Sequence, residues 1–169
     1  TGPGAARSIF SHTAGSMLQL INRTVFATAR ETSRFAINGV LMKRDGKKLE
    51  MVATDGRRLA VGRTQLKSAA GGEGGAVSCI VPTKALNLIQ RLASGPDEQV
   101  RVALTDNRIF MAFEEAGEAK GKGEGKARAV LSSTLVEGAF PPYEDVIPKD
   151  HDKTVTTDRA ELSTAIREA

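Results

Sequence analysis

The stretch RFAINGVLMKRDGKKLEMVATDGRRLAVGRTQ, residues 34–65, decides the fold. It holds three apolar-rich runs, 34–43, 49–54 and 57–65. Arg44-Asp45-Gly46-Lys47 separates the first two, and Asp55-Gly56 the last two. Asp-Gly between strand-like runs is a hairpin signal, because glycine accepts the positive φ of a type I′ turn. The stretch therefore predicts an antiparallel three-stranded meander.

The pattern on either side repeats. Residues 7–13 read as a strand, with Thr13 placed to cap a helix over 16–30. There Met17, Leu20, Ile21, Thr24 and Val25 recur at helical spacing. After the meander, 68–75 (SAAGGEGG) reads as a flexible loop. Residues 76–82 form another strand and 83–94 a second helix, with Ala85, Leu88, Ile89 and Leu92 as its apolar face. Strands 99–104 and 108–113 flank the turn Thr105-Asp106-Asn107. A charged Gly-rich loop (117–126) and a strand over 127–135 follow. Residues 138–148 (GAFPPYEDVIP) are a Pro-rich extended segment that no sheet interior accommodates, and they read as a domain exit. The expected class is α+β: two helices on one face of a mostly antiparallel sheet, with the strand–helix–strands unit duplicated.

The tail then resembles the head. Residues 153–169 read as a strand, a cap and a helix, with Asp158 and Glu161 spaced as a capping box. Asp158, Leu162 and Ile166 fall on Thr13, Met17 and Ile21, one domain length apart. The expected division is one domain over 1–150 and the opening of a second, similar one over 151–169. With no initiator Met and no signal-peptide core at the start, the chain reads as an internal piece of something longer.

Composition narrows the function. Lys and Arg outnumber Asp and Glu by 24 to 20, which permits contact with a polyanion without requiring it. Gln19, Arg23 and Arg30 share the outer face of the first helix, and Lys84, Asn87 and Arg91 that of the second; whether the basic residues concentrate on these faces or scatter separates a DNA-binding reading from one without DNA. No apolar run approaches the roughly 20 residues of a membrane span. Aromatics at 4%, with no Trp, are too few for a single-strand stacking platform. The single cysteine, Cys79, makes no internal disulfide and suits a reducing, cytoplasmic setting; mid-strand, it reads as an inert buried thiol.

Catalytic patterns are missing. Gly121–Lys126 (GKGEGK) lacks P-loop spacing, and no GxSxG motif occurs. His12 and His151 stand alone, so no metal site is expected. Asp55-Gly56 lacks the ligand series of a calcium loop. The acidic pairs Glu114-Glu115 and Glu144-Asp145 read as solvated surface. No cofactor is expected, and the reading favours a binding or scaffolding role over an enzyme.

Four motifs in order, NG before a strand (Asn38-Gly39), ATDG-x-RLA (53–60), VP-x-K (81–84) and EG-x-FP-x-Y…IP (137–148), resemble the bacterial sliding clamp family, the beta subunit of DNA polymerase III. The resemblance spans nearly the whole chain: the middle of three domains and the start of the third. It implies a processivity factor whose homodimeric ring encircles duplex DNA without reading sequence, the two helix faces lining the hole. Glu31, near the inferred end of the first helix, would weaken the positive field there. The resemblance further implies a hydrophobic pocket between the middle and last domains. It would take short peptides of polymerase and clamp-loader subunits: a Gln followed by aliphatic and aromatic residues. The matching positions are Arg34, Ile37, Thr54, Gly56, Arg57, Arg58, Leu59, Pro141 and Val146. Ile37, Leu59, Pro141 and Val146 supply apolar walls, Gly56 close backbone approach, and Arg34 and Arg58 donors. Arg57 stands where the family often has His, and Asp145 where a basic residue can occur, which alters the polar rim. The alternative is a stand-alone α+β peptide-binding adaptor with no DNA role.

Overall fold

A computed structural model of the chain describes residues 8–29, 36–70, 76–114 and 127–169. Among these residues nine strands and three α-helices follow in the order β1 (Ser8–Thr13), α1 (Ala14–Thr24), β2 (Gly39–Asp45), β3 (Lys48–Thr54), β4 (Leu59–Gln65), β5 (Ser68–Ala70), β6 (Val77–Pro82), α2 (Thr83–Leu92), β7 (Gln99–Leu104), β8 (Arg108–Glu114), β9 (Ala127–Thr134) and α3 (Arg159–Glu168).

The meander forms as expected, but the strands divide between two sheets, not one. One has the order β5-β1-β7-β8-β9 and the other β4-β3-β2-β6. Every described pairing is antiparallel. Each meander thus borrows the opening strand of the other repeat: β6 joins β2–β4, and β1 joins β7–β9. The duplication also shows in the helices, where Leu18–Arg23 reads LQLINR and Leu86–Arg91 reads LNLIQR. The equivalent residues Asn22 and Gln90 meet, Gln90 Nε2 donating to Asn22 Oδ1 at 2.6 Å, so the helices lie side by side.

One core joins the helices to both sheets. Met17, Leu20 and Ile21 of α1, Leu86 and Ile89 of α2, Phe10, Val102 and Phe113 of one sheet and Met42, Met51 and Val81 of the other are all buried in it. Fully burying side chains of this size stabilises by roughly 1.5–3 kcal/mol each. A second, smaller cluster covers the opposite face of the four-stranded sheet: Leu41, Val52 and Ile80 with Ala36 and Tyr143, and Leu59, Val61, Val136 and Phe140 at its margin.

Several boundaries differ from the sequence reading. The first helix stops at Thr24, followed by a 3-10 turn over Val25–Ala27, well short of residue 30. Thr24 Oγ1 donates to Leu20 O at 2.7 Å, a back-bond that competes with continued helix. The first strand of the meander begins at Gly39, not 34. The Asp55-Gly56 connection is a four-residue loop, since Thr54 pairs with Leu59. Ser68–Ala70, expected as loop, forms β5 against β1, and the exit holds a 3-10 turn over Tyr143–Val146. In α2 the buried residues are Ala85, Leu86 and Ile89, whereas Leu88 is 42% exposed. Residues 153–158 form no strand; Asp158 caps α3 by accepting from the amides of Ala160 and Glu161.

Candidate peptide and nucleic-acid interfaces

The loop over residues 55–58 is held by its own side chains. Thr54 Oγ1 accepts from Gly56 N at 3.1 Å and donates to Arg58 O at 2.7 Å. Asp55 Oδ1 accepts from the amides of Arg57 (3.0 Å) and Arg58 (3.1 Å). These bonds, the Arg57 amide foremost, hold the Asp55 carboxyl below its ordinary pKa. Gly56 sits at φ +85°, the left-handed region that glycine enters freely. The Arg58 guanidinium lies between Asp55, with Nε to Oδ2 3.1 Å, and the Phe26 ring, 5.7 Å from its centroid. Arg58 thus meets both a carboxylate and an aromatic face.

Of the sequence-predicted pocket residues, the structure gathers some and separates others. Leu59 is half-buried against the second cluster, which also takes in Tyr143 and, at its margin, Phe140 of the exit segment. The loop and the exit, far apart in sequence, thus share one apolar surface. Thr54 and Ile37 are buried, and Gly56, Arg57 and Arg58 are exposed. Pro141 is half-buried and Val146 is 67% exposed. A groove of about 680 Å³ runs beside the exit, walled by Leu41, Lys43, Cys79, Ile80 and Tyr143, with Pro141 on its rim. Of the predicted positions described, only Pro141 lines it. Burial pushes the Cys79 thiol up to about 12, so it is an inert wall residue. Arg34 lies outside the described residues.

Tyr143, which fixes the exit to the sheet, stood inside the FP-x-Y motif but was not singled out as a functional residue. Its ring is 6% exposed, and its hydroxyl donates to Glu50 and accepts from Lys43 Nζ at 3.1 Å. The Tyr143 hydroxyl, then the Glu144 carboxylate 3.0 Å away, raise the Lys43 pKa. Burial first, then Glu50, raises that of Tyr143.

On the paired helices, Gln19 and Arg23 of α1 and Lys84, Asn87 and Arg91 of α2 are all exposed. Gln19 and Asn87, and Arg23 and Arg91, occupy equivalent places in the repeated LQLINR and LNLIQR segments. Neither helix contains an Asp or Glu, so this face carries cations without internal neutralisation. Lys84 and Asn87 also line a second cavity of about 510 Å³ with Phe26 and Asn38. Leu88, expected on the apolar face, is instead exposed on the side of the helix that carries the cations. Arg30 and Glu31 lie outside the described residues.

Among the described residues no group of three or more His, Cys, Asp or Glu is placed to hold a metal ion. No helix among them is long and apolar enough to cross a membrane.

Comparison with known proteins agrees with the fold. Residues 13–142 match the family described as DNA polymerase III beta subunit, central domain. The beta sliding clamp of Pseudomonas aeruginosa is 33% identical over 164 residues, 97% of this chain and 40% of that protein. That of Escherichia coli K12 is 33% identical over 138 residues, 82% of this chain and 33% of its own length. A crystal structure of the Pseudomonas aeruginosa DNA polymerase sliding clamp superposes with a TM-score of 0.80 at 32% identity, covering 99% of this chain and 42% of that one. The chain thus spans about 40% or less of the length of these curated relatives.

Proposed function

Because the chain belongs to the DNA polymerase III beta-subunit family, with residues 13–142 as its central domain, we propose that it is part of a sliding clamp. In this reading the complete protein is a cytoplasmic processivity factor. It closes as a homodimeric ring around duplex DNA, tethers the replicative polymerase and performs no catalysis of its own. Residues 1–150 are the middle domain and 151–169 the opening of the third. The exposure of α3 supports that division: none of its residues is buried, and Leu162 and Ile166 are 48% and 67% exposed. An amphipathic helix with its apolar side uncovered is what the first element of a truncated domain presents.

The observation that carries the DNA reading is the acid-free helix pair. Arg23, Lys84 and Arg91 project from it, and Gln19 and Asn87 add neutral donors. Such a face attracts phosphate oxygens and offers no concerted base-edge readout, which suits a ring that slides. The peptide reading rests on the loop and exit sharing one surface. Leu59, Pro141 and Val146 offer apolar contact, while Arg57 and Arg58 form a basic rim that Asp145 offsets. Incoming peptides of polymerase and clamp-loader subunits would be held by their aliphatic and aromatic side chains.

The test is a titration of a fluorescein-labelled peptide, bearing Gln followed by Leu and Phe, against the complete protein. Leu59→Lys removes an apolar contact and puts a cation in its place, at an expected cost of about 2 kcal/mol or more in peptide affinity. Equal affinity of wild type and variant would remove the pocket assignment.

A further inference from the structure

The outer face of the four-stranded sheet is laid out in rows. Lys43, Glu50 and Arg63 are cross-strand neighbours on β2, β3 and β4. Two residues along, on the same face, stand Leu41, Val52 and Val61, also mutually paired. Two further along, Thr54 pairs with Leu59. A charged row, an apolar row and the loop that carries Leu59 therefore succeed one another across one surface.

Tyr143 spans the first two rows. Its ring lies in the apolar cluster with Leu41 and Val52, and Phe140 packs edge-on against it at 6.2 Å. Its hydroxyl reaches the charged row, donating to Glu50 and accepting from Lys43. Arg63 Nε completes the row by donating to the other Glu50 oxygen at 2.5 Å.

The exit segment needs such a device. Val136 N donates to Ile80 O at 2.8 Å and Ala36 N to Ala139 O at 3.1 Å, which fastens the chain upstream of Pro141. Pro141 and Pro142 have no amide hydrogen to donate. Among the described residues no backbone hydrogen bond ties residues 140–148 to the sheet. An apolar ring alone can slide along an apolar row; a hydroxyl held by a carboxylate and an ammonium cannot, because hydrogen bonds are directional.

We propose that the Tyr143 hydroxyl and the row Lys43–Glu50–Arg63 form a latch that positions the exit segment, with its Pro141 and Val146, for peptide capture. The proposal rests on the pocket reading above. Pro141 lies two residues before Tyr143 and Val146 three after it, so one pinned residue sets both walls. Lys43, Glu50 and Tyr143 are positioning residues that need not touch the peptide themselves.

The experiment measures binding of the same labelled peptide to the complete protein carrying Tyr143→Phe, Glu50→Gln, Lys43→Met or Lys43→Arg, with Leu59→Lys as the control. Tyr143→Phe keeps the ring and removes only the hydroxyl. The expected result is a loss of about fivefold or more for Tyr143→Phe, Glu50→Gln and Lys43→Met. Lys43→Arg, which keeps the donor and its charge, should stay within about twofold of wild type. A spectroscopic readout accompanies it. Tyr143 is the only tyrosine of this chain, so the alkaline difference spectrum of wild type against Tyr143→Phe reports its ionisation. Tyr143 should ionise above the ordinary value of 10, and Glu50→Gln should bring it down. Wild-type affinity in the latch variants, with affinity lost in Leu59→Lys, would overturn the latch and leave the pocket standing. Wild-type affinity in Leu59→Lys as well would overturn both. Ionisation of Tyr143 at the ordinary value, unmoved by Glu50→Gln, would overturn the latch on its own.

Discussion

Glu98 is a buried carboxylate that holds the end of α2, and its removal should be costly. Its side chain is 2% exposed. One oxygen accepts from Ser94 N at 2.7 Å, and the other from Arg128 Nε at 3.2 Å and Nη2 at 2.8 Å. Arg128 also donates to Leu92 O, the last carbonyl of α2, so the pair closes the helix that carries Lys84, Asn87 and Arg91. Hydrogen bonds to charged groups contribute roughly 1.5–3 kcal/mol each, and breaking a buried ion pair typically costs about 3–5 kcal/mol. Arg128 is 34% exposed and regains water when its partner goes, which places Glu98→Ala near the bottom of that range, about 3 kcal/mol. Glu98→Gln keeps a neutral acceptor and should cost roughly half as much. For a chain of this size the alanine variant should melt about 6–12 °C lower. Burial works to raise the Glu98 pKa, but the Ser94 amide and Arg128 outweigh it and hold it below 4.5. Its contribution is therefore complete above about pH 4.5 and is lost as pH falls through the folded-state value. Thermal melts of the three proteins at neutral and acidic pH check this. A loss below about 1 kcal/mol for Glu98→Ala, or a gap between variant and wild type that widens on acidification, would refute the reasoning.

Two further outcomes are expected. His12 is buried with Nδ1 unpartnered and Nε2 3.3 Å from Thr64 Oγ1; burial first, then Lys67, lowers its pKa from 6.5. The unfolded chain takes up a proton below pH 6.5 that the folded chain resists, so stability should decline below that pH, and a His12→Gln variant should show a flatter decline in acid melts. Removing residues 151–169 from this chain should leave its melting temperature within about 2 °C, since none of α3 is buried; a drop larger than that would tie the tail to the first domain's core.

The strands were legible because their chemistry is local. The runs around Met51 and Val61 and the turn residues at Gly46 and Asp55 mark strand ends without reference to the rest of the chain. Their assembly into two sheets was not legible, because β1 pairs with β7 and β2 with β6 across long separations that leave no local mark. In α2, Ala85, Leu86, Leu88, Ile89 and Leu92 allow more than one apolar face. Contact with β6 and β9 selects Leu86 and turns Leu88 outward. The site divides the same way. Leu59 and the Pro-rich exit could be read from motifs. The contacts of Tyr143 could not, because they depend on Lys43 and Glu50 being register partners, a fact of pairing and not of sequence. The loop has four residues where the Asp-Gly pattern predicts a two-residue turn, because the carboxylate of Asp55 caps two amides and so absorbs Arg57 and Arg58 into the bend.

The central claim is encirclement, and topology tests it most directly. The complete protein is assembled on nicked circular duplex DNA, the circle is then linearised with a restriction enzyme, and the protein that remains with the DNA is measured by gel filtration. A ring whose hole is lined by Arg23, Lys84 and Arg91 should stay on the circle and leave the linear form, because contacts to phosphates alone are weak and salt-sensitive. Equal retention on circular and linear DNA would contradict the account.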